Sequence, residues 1–190
     1  MLKNFFISKV RVRILEQYML DLSAAFHVRG LVRILDEEIN AVRRELLNLQ
    51  DAGLLTSKKD GNKLVYKLNQ KYPILPELRS MFYKESNIGR AILKVAEEIE
   101  GIQLLVLTES FIKNRYENPT DVDFLFIGTM KVRDLSTAMS ELEKEQKRDI
   151  RFSAITKEDF DFARKKKEPF LMNILEKDKM IIFGQISDLL

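Results

Sequence analysis

The sequence predicts an α+β protein made of two units, and three observations carry that prediction. Apolar residues recur at helical spacing in three segments before Gly53, and two short alternating segments then flank Asp60-Gly61. Beyond about residue 89, helix-like and strand-like segments alternate, the order of a unit that packs helices on a small mixed sheet. Charge divides between the same halves: residues 1–84 hold 15 basic and 9 acidic residues, net +6, whereas residues 85–190 hold 17 and 20, net −3. The expected units are therefore residues 1–84 and 85–190. The basic one suits a polyanion, and its junction with an acidic one implies different partners for the two.

In the basic half, Ser8 is a good N-cap for a helix over residues 8–20, with Val10, Ile14 and Leu15 at helical spacing. Residues 28–35 form a second, short helix with Leu31 and Leu35 on one face, and Asp36-Glu37-Glu38 then interrupts the apolar pattern. A third helix over 38–52 stops at Gly53, the residue type favoured just past a helix end. Leu54-Leu55-Thr56-Ser57 starts a strand, Asp60-Gly61 signals a tight hairpin, and residues 63–68 return with alternating apolar side chains. Three helices followed by a hairpin is the order of a winged helix-turn-helix.

At about 100° per residue, Ile39, Val42, Leu46 and Leu49 of the third helix form one apolar stripe, its core face. Arg44 lies nearly opposite, flanked by Asn40, Leu47, Asn48 and Asp51, while Arg43 sits between the faces and reaches outward. Arg and Asn have the forked geometry that fits guanine and adenine edges in a major groove. Lys58, Lys59, Asn62 and Lys63 surround the hairpin turn, where they suit phosphates. The candidate DNA contacts are therefore Asn40, Arg43, Arg44, Asn48, Lys58, Lys59, Asn62 and Lys63.

The stretch LVRILDEEINAVRRELLNLQDAGLLTSKKDGNKLVYKLN resembles winged-helix transcriptional regulators of the arsenic-repressor-like and multiple-antibiotic-resistance-like superfamily, over roughly residues 8–70. The resemblance implies that 38–52 is the recognition helix and 58–63 the wing. Glu37 and Glu38 depart from a purely basic surface. They favour the helix dipole but repel phosphate, so either they point away from DNA or binding is weaker than in relatives. His27, the single histidine, precedes the second helix and reads as a capping residue, since no second His and no Cys exists to complete a metal or catalytic site.

Other classes are excluded by composition. With no Cys there is no disulfide scaffold and no thiolate site. A 45% hydrophobic content is too high for disorder, and 7 Gly with 4 Pro is too few for collagen-like or low-complexity chains. No apolar run approaches the roughly 20 residues that span a bilayer. Met1 to Arg13 lacks a signal-peptide core, so the expected place is the cytoplasm, with no membrane partner.

In the acidic half, residues 70–84 with Pro73 and Pro76 form a connector that leads into a helix. Helices are expected over 89–100, 134–145, 158–166 and 170–175, and strands over 103–107, 122–127, 150–155 and 180–183. Lys165-Lys166-Lys167 reads as a solvated helix end. Asp121-Val122-Asp123 is the chemical feature. In a strand, residues two apart share a face, so both carboxylates would grip one hard cation such as Mg²⁺.

LLVLTESFIKNRYENPTDVDFLFIG resembles the strand-turn-strand core of polymerase-beta-like minimal nucleotidyltransferases, and FLMNILEKDKMIIFG resembles their closing helix and strand. By that resemblance Ser110 matches the turn serine, and Asp121 and Asp123 match the metal-binding pair. Two departures argue against turnover. The glycine before the serine is Glu109 here, whose Cβ and charge oppose a triphosphate. The third carboxylate would fall on KRDIRFSAIT, where Arg151 takes its place. Ser110, Asp121 and Asp123 are then a vestigial motif that binds Mg²⁺ weakly or not at all, and replacing both aspartates by Asn would leave the fold intact.

The sequence thus predicts a DNA-binding transcriptional regulator, without catalytic residues or cofactor, whose second unit serves dimerisation or ligand sensing. Double-stranded DNA and a second copy of the chain are its expected partners. Tyr72, Leu75, Leu78, Phe82 and Ile92 are candidates for the dimer interface or for a seam between units. The alternatives are an active or antitoxin-like nucleotidyltransferase with an accessory winged helix, and a protein-interaction module.

Overall fold

The structure is a computed structural model that describes residues 6–185 and 187. Residues 1–5, the start of the segment read above as lacking a signal peptide, lie outside the described residues. The protein is mixed α+β and divides into two units between Glu85 and Ser86. Among the described residues no helix is long and apolar enough to cross a membrane.

The first unit begins with α1 (Lys9–Leu20), where the Ser8 Oγ accepts from the Arg11 N–H at 3.2 Å. Val12, Ile14, Leu15, Tyr18 and Met19 face inward from it. Next come β1 (Ala25–His27), α2 (Val28–Leu35) and α3 (Ile39–Asp51). His27 caps α2: its Nδ1 accepts from the Gly30 N–H at 2.7 Å. β2 (Leu55–Asp60) and β3 (Lys63–Leu68) make an antiparallel hairpin, and the sheet order is β1-β3-β2. β1 was not expected from the sequence. Three residues are too few to show alternation, and what fixes β1 is its pairing with β3, with Ala25 opposite Lys67 and His27 opposite Val65.

Tyr18 braces this sheet from the helical side. Its ring meets Phe26 edge-on at 5.4 Å, and its buried hydroxyl donates to the Tyr66 carbonyl at 3.2 Å. Burial, reinforced by Tyr66, pushes the Tyr18 hydroxyl well above its ordinary pKa, so it keeps its proton and donates. α3 ends where Gly53 turns with φ +79°, a backbone conformation that side chains disfavour, and the Leu54 N–H closes onto the Leu49 carbonyl at 3.0 Å.

α4 (Leu75–Glu85) completes the unit. Leu75 and Phe82 are buried in the same core as α1, and Tyr72 and Leu78 pack against it. Leu75 and Phe82 are therefore used within their own unit and not at a dimer interface, which corrects that assignment for them, while Tyr72 and Leu78 stay half-buried.

The second unit opens with α5 (Asn87–Glu98), which carries Ile92 fully buried. β4 (Ile102–Leu107), a short α6 (Glu109–Lys113), β5 (Phe124–Gly128), α7 (Val132–Gln146), β6 (Phe152–Ile155), α8 (Lys157–Lys166), α9 (Pro169–Glu176) and β7 (Met180–Phe183) follow. The sheet order is β6-β5-β4-β7. β4 runs antiparallel to both β5 and β7, whereas β5 and β6 are parallel and α7 supplies the crossover that parallel strands require.

Every residue of β5 is buried, which is why it reads as a continuous apolar run rather than an alternation. Leu104, Val106, Leu125 and Ile127 pack with Phe160 and Ala163 of α8 and Leu171 and Ile174 of α9. Phe124 and Phe126, offset by one along β5, meet the rings of Phe111 and Phe152 instead.

Candidate nucleic-acid interface and carboxylate cluster

α3 turns Val42, Leu46 and Leu49 into the core and leaves Ile39 half-buried, so the predicted stripe holds. Asn40, Arg43, Arg44, Leu47, Asn48 and Asp51 are exposed. Arg44 makes no hydrogen bond or ion pair among the described residues, and the Arg43 guanidinium reaches only Asn40 Oδ1 at 3.5 Å. α3 packs against β2 of the hairpin. Asp60 pairs with Lys63, which leaves Gly61-Asn62 as a two-residue turn. Lys58, Lys59, Asn62 and Lys63 are exposed around that turn, and none of these lysines is held in an ion pair among the described residues.

Three acids near α3 have partners of their own. Glu37 Oε1 takes the Arg13 guanidinium at 2.6 Å. Glu38 caps α3 through the Ala41 N–H at 2.8 Å, and the N–H groups of Asn40 and Ala41 hold its carboxyl below the usual range. Glu45 is the surprise. It lies beside the apolar stripe with its side chain 4% exposed, and its Oε2 accepts from Arg11 Nε at 2.8 Å. Burial pushes its pKa up, but the Ser8 hydroxyl and Arg11 outweigh burial and hold it low. Sequence reasoning missed this pair because Arg11 is 34 residues away. The available signal was an acid at the margin of the α3 stripe.

The second site departs from the sequence expectation. β5 begins at Phe124, so Asp121 and Asp123 precede the strand and the shared-face argument does not apply to them. Their carboxylates serve separate donor sets. Asp121 accepts from the N–H groups of Glu117 at 2.7 Å and Asn118 at 2.9 Å, and from Asn173 Nδ2 at 3.2 Å. Burial raises its pKa, yet the Asn118 and Glu117 N–H groups prevail and hold it below the ordinary value. Asp123 is wholly buried. It takes Arg148 Nη2 at 2.8 Å, the Arg151 N–H at 2.9 Å and the Tyr116 hydroxyl. Burial first and then Asp123 raise the Tyr116 pKa, which keeps that hydroxyl a donor.

The residues present do not fit a bound Mg²⁺. Both carboxylates already accept from protein donors, the Arg148 guanidinium occupies the charge position beside Asp123, and no group of three or more metal-ligating side chains occurs among the described residues. Replacing both aspartates by Asn is accordingly expected to destabilise the second unit, against the neutral change expected from the sequence.

Ser110 lies in the first turn of α6, not in an open phosphate loop. Thr108 sits at the N-cap position but does not cap, since its hydroxyl donates to the Val122 carbonyl. Glu109 is bound by Lys113 at 2.8 Å and lies 3.7 Å from Lys177. The cleft between Thr108, Glu109, Ser110, Asp121, Asn173 and Lys177 holds about 10 Å³, which is about one water. Arg151 meets Asp123 through its backbone N–H, while its guanidinium stacks 4.1 Å from the Tyr116 ring.

No family model matches the chain, and no curated protein or solved structure matches it.

The three depressed carboxyls, Glu38, Glu45 and Asp121, make a pH prediction. A carboxyl whose folded pKa lies below its unfolded value stabilises fully above that unfolded value, about 3.9 for Asp and 4.3 for Glu. Its contribution is lost as pH falls through the lower, folded pKa. Urea unfolding is therefore expected to be nearly flat from neutral pH to about 5 and to weaken steeply below about 4. Asp121→Asn should remove part of that acid slope in the second unit, and an unchanged slope would contradict the role given to Asp121.

Proposed function

We propose that the protein is a DNA-binding transcriptional regulator. Residues 6–85 act as a winged helix in which α3 reads base edges in the major groove and the β2–β3 hairpin holds phosphates. The observation that carries this reading is the sorting of arginines. Arg11 and Arg13 of α1 are bound to Glu45 and Glu37, whereas Arg43 and Arg44 of α3 stand exposed beside a lysine-bearing turn, in no close ion pair among the described residues and only in weak attraction to the Glu38 cap. Free guanidiniums and amides on one helix face suit base edges, and free lysines on an adjoining hairpin suit phosphates. The decisive experiment is a binding titration of the full chain with duplex DNA from upstream of its own gene, over a series of salt concentrations. A saturable complex whose affinity falls steeply with salt is expected. Equal weakness toward every duplex at low salt would sink the reading.

The second unit is read as a nucleotidyltransferase-like fold without turnover, serving dimerisation or ligand sensing, in a cytoplasmic protein. The internal use of Asp121 and Asp123, with Glu109 at the cleft, supports a non-enzyme. A homodimer follows from the DNA reading, because a two-fold axis presents two α3 helices to half-sites about one helical turn apart. Light scattering at micromolar protein without DNA is expected to return twice the chain mass. A monomer mass would count against the dimer.

A further inference from the structure

The solvent face of α3 carries one large apolar side chain. Leu47 is 42% exposed and stands among groups that form hydrogen bonds: Arg43 and Arg44 one turn before it, Asn48 next to it and Asp51 one turn after. The core does not claim it, since Val42, Leu46 and Leu49 fill the buried side of the helix.

The edges of base pairs in a major groove offer hydrogen-bond donors and acceptors and a single apolar group, the C5 methyl of thymine. A leucine side chain neither donates nor accepts. In that groove it gains only by taking this methyl out of water. We infer that Leu47 is a specificity-determining residue that selects a thymine by covering its C5 methyl. The inference rests on the reading of α3 as the base-reading helix and adds the base it selects. Position favours it, because Arg43 and Arg44 flank Leu47 by one turn. A fork from either onto a purine brings the leucine over a neighbouring pair.

The test uses the full chain and a randomised duplex library. Bound sequences are selected and then rebuilt with deoxyuridine, which lacks the methyl, in place of each thymine in turn. One thymine, or one symmetry-related pair, is expected at which the exchange weakens binding about fourfold, the worth of one buried methyl group. Leu47→Ala should bind the thymine and deoxyuridine duplexes equally. Leu47 is exposed, so this variant keeps its fold, which circular dichroism checks. Equal binding of both duplexes at every position, or a thymine preference that survives in Leu47→Ala, overturns the inference and leaves DNA reading standing. Failure of the library to enrich any sequence overturns DNA reading and this inference with it.

Discussion

Replacing Arg43, Arg44, Lys58 and Lys59 together by alanine is expected to lower affinity for duplex DNA by about a hundredfold or more. Arg44 supplies the largest share, about 1–3 kcal/mol where its fork meets a base edge. All four side chains are exposed and outside the core, so the loss is one of contact and not of fold. Single variants should divide by mechanism. Arg44→Ala relaxes base preference, whereas Lys58→Ala or Lys59→Ala weakens binding to all sequences alike and flattens the dependence on salt by about one phosphate contact each. Anisotropy titrations at several salt concentrations read both effects. Undiminished affinity in the quadruple variant would remove α3 and the hairpin from the interface.

The largest effect on stability is expected from Arg148→Ala. Asp123 has no exposed surface, and Arg148 is its counter-charge at 2.8 Å. Removing one partner of a buried pair typically costs about 3–5 kcal/mol, because the other charge is left in a poor solvent. Two features place this site at the lower end, about 3 kcal/mol. Arg148 is 29% exposed, so water can enter in its place, and the Tyr116 hydroxyl and Arg151 N–H still reach the carboxylate. The loss of guanidinium stacking on Phe111 adds to the cost. Combining Arg148→Ala with Asp123→Asn should destabilise by less than the sum of the single changes, since the stranded charge is then gone. Urea unfolding followed through the second unit measures this, and a change below about 1 kcal/mol for Arg148→Ala would show that the pair is not strongly coupled.

Regular periodicity made most of the fold legible. The three helical segments read in the first unit fell at their structural positions because each carries an apolar stripe facing a single core. β1 and α6 did not, since three and five residues are too short to show a period and both are set by what they touch. The eight candidate DNA contacts proved exposed because binary pattern decides which side of a helix or hairpin meets water. The carboxylates show the limit of such patterns. Spacing of two implies a shared face only inside a strand, and Asp121 and Asp123 lie in the loop before one. Their partners come from Asn173, 52 residues away, and from Arg148, 25 residues away. No local pattern encodes such contacts. The Glu117 and Asn118 N–H groups on Asp121 were nearer to hand, since an Asn-Pro-Thr-Asp run is typical of a loop that folds on its own backbone.

The strand order of the second sheet has a consequence for synthesis on the ribosome. β4 lies between β5 and β7, and β7 comprises Met180–Phe183. One edge of β4, an apolar strand with five of its six residues buried, therefore stays unfilled until residue 183 has been made. The first unit is complete after Glu85 and needs nothing from later in the chain for its sheet. The nascent chain thus passes through a long interval in which a finished basic unit trails a sheet lacking a strand. An open apolar edge of that kind pairs readily with a foreign strand. Ribosome stalling or truncation between residues 128 and 180 should accordingly yield aggregation-prone chains, whereas arrest near residue 85 should not.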